Sequence, residues 1–360
     1  MKASPSGSSI ANEPSSDTGF RRGGILAAGS LAASGLTTLC SLGATILILR
    51  ALSKEEAGRF ALLVELLYSI GLLASLGQSA LQARLYLQQG ASRFNWISDA
   101  RSTVWITVPA VAVTIIAIAR PYQLSLFEGG FLFVGAELFI LTTCFSAVLG
   151  QQRHYVWSSA LLRLGNGLLI IPAGLMLFYP KMCRLDLVLM YLVAFLGAVT
   201  LLGSALMAKW VPRGGVAITL RQRVSGLVFL VSFLALVVPQ RGLIAVAGAL
   251  LTPVTVASLA ALVSILRVFD LVGESTGRVF ATEMAQHPMR LNFGLLAAPW
   301  LLAGFLVLAV TVGLQPLVHR LYQGRYDTAL PFLPWLVIAA GCRLVEIVPR
   351  GFLGYLAPAP

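Results

Sequence analysis

The sequence predicts an all-α integral membrane protein of about ten transmembrane helices. Composition is the first reason: 58% of the 360 residues are hydrophobic, 11% are charged, and the mean hydropathy is +0.85. A soluble chain of this length carries about a quarter charged residues and could not hide so much apolar surface. The second reason is the apolar runs, which repeatedly reach the roughly 20 residues a helix needs to cross the hydrocarbon core. They are too long and continuous for barrel strands, which alternate in pieces of about ten residues. The third is the split of Lys and Arg, fourteen on one side of the predicted spans and eight on the other, which puts the N-terminus in the cytoplasm.

Residues 1–20, opening "MKASPSGSSIANEPSSDTG", are rich in Ser, Pro and Gly and read as a disordered cytoplasmic tail. They do not read as a signal peptide, because charge precedes the apolar run only at Arg21 and Arg22, and the run to Leu49 is too long for one. Ten spans follow, near 24–48, 59–80, 101–119, 128–150, 156–178, 186–208, 225–247, 254–275, 292–314 and 330–349. Between the sixth and seventh lies "AKWVPRGGVAITLRQR" (208–223), with four positive charges, Pro212 and the pair Gly214-Gly215. This basic stretch, 209–224, reads as the linker between a first six-helix unit (21–208) and a second unit (225–360).

An internal repeat supports that division. Sliding the chain by 199 residues pairs "ALSKEEAGRFALLVELL" (51–67) with "LLTPVTVASLAALVSIL" (250–266). Ala57-Gly58 then faces Val256-Ala257, and Phe60 faces Leu259. The same turn follows span one and span seven, as a duplicated helical unit predicts.

The net charge of +12 fits retained cytoplasmic loops, anionic lipid headgroups and an anionic substrate. The basic residues are scattered between apolar runs, with no stripe of interleaved aromatics, which argues against nucleic acid as a partner. Cys40, Cys144, Cys183 and Cys342 are far apart, as are His154, His287 and His319, so neither a metal nor another cofactor is expected. No Walker A, GxSxG or dinucleotide loop is visible, which argues against an enzyme.

"RALSKEEAGRFALL" (50–63) carries a resemblance to the polysaccharide flippases of the multidrug/oligosaccharidyl-lipid/polysaccharide exporter superfamily. In that family a basic residue, Leu, Gly-Pro-Glu, a small residue and Phe-Gly follow the first span. Leu52, Glu55, Glu56, Gly58 and Phe60 match, whereas Ser53-Lys54 stands in place of Gly-Pro. "SLGQSALQARLY" (75–86) resembles the family's next element, a glycine ending span two before an amphipathic stretch. "LYQGRYDTALPFLPWL" (321–336) resembles its entry to span ten. The family pattern has twelve or more spans in two lobes that open like a V. Ten spans here correspond to a six-helix lobe and an incomplete, four-helix second lobe. The resemblance implies a multi-pass protein of the inner or plasma membrane that flips a lipid-linked oligosaccharide for cell-surface polysaccharide biosynthesis by alternating access. Membrane lipids, glycosyltransferases or a polysaccharide polymerase would be its partners. Alternatives are a proton- or sodium-coupled drug antiporter of the same superfamily, and a non-transporting scaffold of a polysaccharide-assembly complex.

Ionisable residues inside spans are the candidate site residues, since each costs at least about 2.5 kcal/mol at the bilayer centre unless it meets a partner or water. Arg267, Asp270, Glu274 and Arg278, spaced 3, 4 and 4 apart, share one helical face. That face lines a cleft or forms an interhelical salt-bridge ladder. Arg163, beside "GNG" (165–167), and Arg241, after Pro239-Gln240, either line a cationic cavity suited to phosphates or pair with Glu65 or Glu137. Glu65 and Glu137 are lone carboxylates in spans two and four, open to ion coupling or to helix-to-helix hydrogen bonding. Arg343 and Glu346 are placed to pair with each other in span ten.

Overall fold

A computed structural model of the chain describes residues 16–212, 214–266, 304 and 313–342. The described residues are helical, with no strand among them beyond one isolated bridge, Phe94 to Val216. Six helical stretches are long and apolar enough to cross a membrane: Ala32–Ala51, Lys54–Ala74, Trp96–Ala119, Leu126–Gln151, Tyr155–Met176 and Leu185–Trp210. They coincide with the first six predicted spans. A further helix over Leu227–Leu250 matches the seventh, and shorter apolar helices lie at Pro253–Leu266 and Asp327–Cys342. Most of the predicted ninth span and the ends of the eighth and tenth lie outside the described residues, and with them Arg267, Asp270, Glu274, Arg278, Arg343 and Glu346.

We label the helices α1 (Ser16–Ala51), α2 (Lys54–Ala74), α3 (Gln78–Gln89), α4 (Trp96–Ala119), α5 (Leu126–Gln151), α6 (Tyr155–Leu168), α7 (Ile170–Met176), α8 (Leu185–Trp210), α9 (Leu220–Ser225), α10 (Leu227–Leu250) and α11 (Pro253–Leu266). Helix α1 begins inside the stretch predicted to be disordered. Its partner α2 starts at a capping box within "SKEE": the Ser53 hydroxyl accepts from the Glu56 amide at 3.2 Å, and Glu56 accepts from the Ser53 amide at 3.2 Å.

Two predicted boundaries are corrected. Span two was expected to reach residue 80, but α2 stops at Ala74 because Leu76 (φ 48°) and Gly77 (φ 72°) turn the chain in left-handed backbone. A Cβ at Gly77 would lie 2.2 Å from the Gly226 carbonyl oxygen, so the corner also admits another backbone. Span five was expected as one helix over 156–178. It is broken at Leu169 between α6 and α7, three residues before Pro172, which lacks an N–H and crowds the preceding turn.

The spans run alternately up and down. Arg59, Glu128 and the start of α8 lie at one end of the bundle, and Gly77, Phe94 and α9 at the other. We call these the Arg59 end and the Arg223 end. A large cluster of buried side chains joins α1, α2, α5, α7, α8, α10 and α11 with Val318, Tyr322, Tyr326 and Leu333. A smaller one at the Arg223 end joins α3, α5, α6 and α8 with Val211 and Ile218 of the connecting segment. Hydroxyl pairs stitch neighbouring spans, Thr142 to Thr200 at 2.9 Å between α5 and α8, and Ser146 to Ser158 at 3.1 Å between α5 and α6.

Candidate functional site

The predicted site residues of the first unit lie on three pairs of neighbouring helices. Arg163 on α6 donates to the Ser34 hydroxyl of α1. Tyr68, one turn from Glu65 on α2, donates to Asn166 of α6 at 2.6 Å, so the polar faces of α2 and α6 are in register. Glu65 itself is 1% exposed. Glu137 of α5 accepts from the Thr107 hydroxyl of α4 at 2.9 Å, which is the helix-to-helix bond weighed above. Its other oxygen, Oε1, is buried with no partner among the described residues. Arg163 and Glu137 therefore serve different helix pairs. Arg241 falls in α10, but its side chain is outside the described ones.

Sequence reasoning missed the most heavily bonded cluster. At the Arg223 end the guanidinium of Arg223 meets the Asp99 carboxylate at 3.2 Å, with 3% and 2% of the two side chains exposed. Arg223 also donates to Gln78 Oε1 at 3.0 Å, to Thr103 Oγ1 at 3.1 Å and to the Asp99 carbonyl at 3.2 Å. Asp99 accepts from the Ile218 amide at 2.8 Å and from the Tyr86 hydroxyl at 3.1 Å. Burial, reinforced by the neighbouring Asp99 charge, pushes the Tyr86 phenol well above its ordinary range and keeps it a donor. Gln82 donates to Thr103 at 2.9 Å and Gln78 returns a bond to the Arg223 carbonyl at 3.2 Å.

This cluster includes part of the predicted linker 209–224. Arg223, counted among the loop charges, is buried. The Val216 amide donates to the Arg93 carbonyl at 3.0 Å, and a Cβ at Gly215 would lie 2.6 Å from that carbonyl. The connector is docked on α3 and α4. A signal was present in Gln78, Gln82 and Tyr86, a polar row at i, i+4, i+8 on an otherwise amphipathic helix.

The Arg59 end is held by charge-assisted bonds. Arg59 binds Glu128 through Nε at 2.5 Å and Nη2 at 2.8 Å, and donates to the carbonyls of Tyr122 at 2.8 Å and Gln123 at 2.9 Å. Glu128 also accepts from the Ser125 amide at 2.8 Å. Replacing Arg59 with Lys, which cannot span this fork, is expected to lower stability by about 1–2 kcal/mol in a detergent unfolding titration. An open depression of about 340 Å³ beside it is lined by Glu56, Glu128, Arg184 and Asp186 among others.

The two turns of the internal repeat meet directly. A Cβ at Gly58 would lie 1.8 Å from the Pro253 carbonyl oxygen, and Ala57, Val256 and Ala257 are buried. Nearby, Tyr122 donates to the Ala245 carbonyl at 3.1 Å. Among the described residues no group of His, Cys, Asp and Glu is arranged to hold a metal ion. No family model, curated protein or solved structure matches the chain.

Proposed function

We propose that this chain is a membrane transporter that moves a lipid-linked oligosaccharide across the bilayer by alternating access between two related helical units. The observation that carries the reading is the contact of the repeated turns, Gly58 against Pro253, which brings equivalent parts of the two units together as two halves that rock on each other would require. Arg163, held between α1 and α6, supplies a cation within a span. Arginine's planar fork suits a diphosphate, while the lipid tail would stay in the membrane. In the same reading Arg241, Arg267, Asp270 and Glu274, named from the sequence alone, are further candidates to meet the substrate. The motifs around Gly58, Gly77 and Gly324 support the flippase class.

The test is transport by reconstituted protein. Arg163→Ala is expected to slow movement of a fluorescent undecaprenyl-diphosphate sugar at least about tenfold, the factor carried by one charge-assisted hydrogen bond. A folded Arg163→Ala protein with unchanged rate contradicts the cationic role.

A second reading, a proton- or sodium-coupled antiporter, is favoured by the buried Oε1 of Glu137 in mid-span, which has no partner among the described residues. It requires ion flux that Glu137→Gln abolishes.

A further inference from the structure

We propose that Arg325 forms a releasable clasp that holds the second unit onto α1 at the Arg59 end and parts more readily than the Asp99–Arg223 dock at the opposite end. The idea rests on the alternating-access reading above.

The clasp is built from main-chain acceptors. Arg325 donates to the carbonyls of Leu49 at 3.1 Å, Arg50 at 2.6 Å and Leu52 at 2.6 Å, and the Tyr326 hydroxyl donates to Leu49 at 2.8 Å. These carbonyls belong to the last turn of α1 and the residue just past it, where a helix leaves its final C=O groups without internal partners. A cation there also meets the negative end of the helix dipole. The contact spans more than 270 residues of sequence, and so ties the chain after α11 to the first span.

The segment bearing the clasp is shaped for it. Gln323 (φ 54°) and Gly324 (φ 72°) form a left-handed turn that presents Arg325, and His319 and Asp327 bracket the turn through a 2.6 Å contact. Tyr322 anchors the turn to α11 through the Ser264 hydroxyl at 3.0 Å and the Ala261 carbonyl at 3.2 Å.

The two ends differ in what opening them leaves behind. Among the described residues the hydrogen-bond partners of Arg325 are three part-buried carbonyls at a helix end, where water can replace each of them, and the neighbouring Tyr326 is itself buried. Parting Asp99 from Arg223 would strand two ions that are 2–3% exposed. Parting Arg325 from its carbonyls therefore strands no buried ion pair, whereas parting the dock strands two ions.

Spin labels at Glu55 and Thr328, both exposed, report the clasp in the full chain in lipid nanodiscs, and labels at Ser92 and Thr219 report the other end. Wild type is expected to show one dominant short distance at each pair. Arg325→Ala, and Arg325→Lys, which keeps the charge but loses the fork, should raise the ratio of long to short Glu55–Thr328 distances about tenfold. The Ser92–Thr219 distribution should not move. An unchanged Glu55–Thr328 distribution in the folded Arg325→Lys protein, or opening at Ser92–Thr219 instead, overturns the clasp. The readout needs no substrate, so a chain that opens in this way yet flips no lipid-linked sugar retains the clasp and loses the substrate assignment.

Discussion

Replacing Arg223 with alanine is expected to destabilise the folded chain by about 3–5 kcal/mol, the usual effect of removing one partner of a buried ion pair. The loss comes less from the missing attraction than from what remains. Asp99 would stay 2% exposed with only the Ile218 amide and the Tyr86 hydroxyl facing its carboxylate, and Gln78 and Thr103 would each lose a donor. Unfolding in detergent, followed by circular dichroism against denaturant, reads the difference. The double variant Asp99→Asn/Arg223→Met should recover part of it, because the stranded charge is gone, and the shortfall from additivity measures the coupling. A loss below about 0.5 kcal/mol for Arg223→Ala would mean that the connector is not docked as described.

The second large effect is expected at Gly58. In a helix, alanine is intrinsically favoured over glycine by about 1 kcal/mol. At Gly58 the added Cβ would sit 1.8 Å from the Pro253 carbonyl oxygen, and that atom is backbone, so α11 itself must move. Overpacking of this kind costs about 1–3 kcal/mol or more, and Gly58→Ala is expected to be a net loss of about 2 kcal/mol. Gly130 on α5 is the internal control. It is exposed and a Cβ there would meet nothing within 4 Å, so Gly130→Ala should stabilise by up to about 1 kcal/mol in the same assay. Equal signs for the two substitutions would contradict the close packing of the repeated turns.

The first six spans were legible because bilayer thickness writes itself into the length of apolar runs. Their ends were less so. A run does not reveal that Leu76 and Gly77 bend the chain early, since the apolar pattern continues past the corner. Pro172 did signal the break in span five, but hydropathy treats proline as one more tolerated residue. Arg163, Glu65 and Glu137 were visible as charges among apolar neighbours. Their partners were not, because hydroxyls such as Ser34 and Thr107 look ordinary in a membrane helix. The Asp99–Arg223 pair was illegible for a different reason. Each residue sits near the end of an apolar run, where a solvated charge is the ordinary expectation, and 124 residues separate them. Only the three-dimensional return of the connector onto α3 and α4 makes them a pair. Arg325 lay within a stretch already singled out for its resemblance, yet nothing local tells that its partners are carbonyls of residues 49–52.

The most direct test of transport follows a short-chain fluorescent undecaprenyl-diphosphate sugar in proteoliposomes, with a membrane-impermeant reductant added outside. If the chain moves this lipid between leaflets, nearly all of the fluorescence should be lost within minutes, against about half in protein-free vesicles. Loss that stops at half in vesicles shown to contain folded protein would contradict the account.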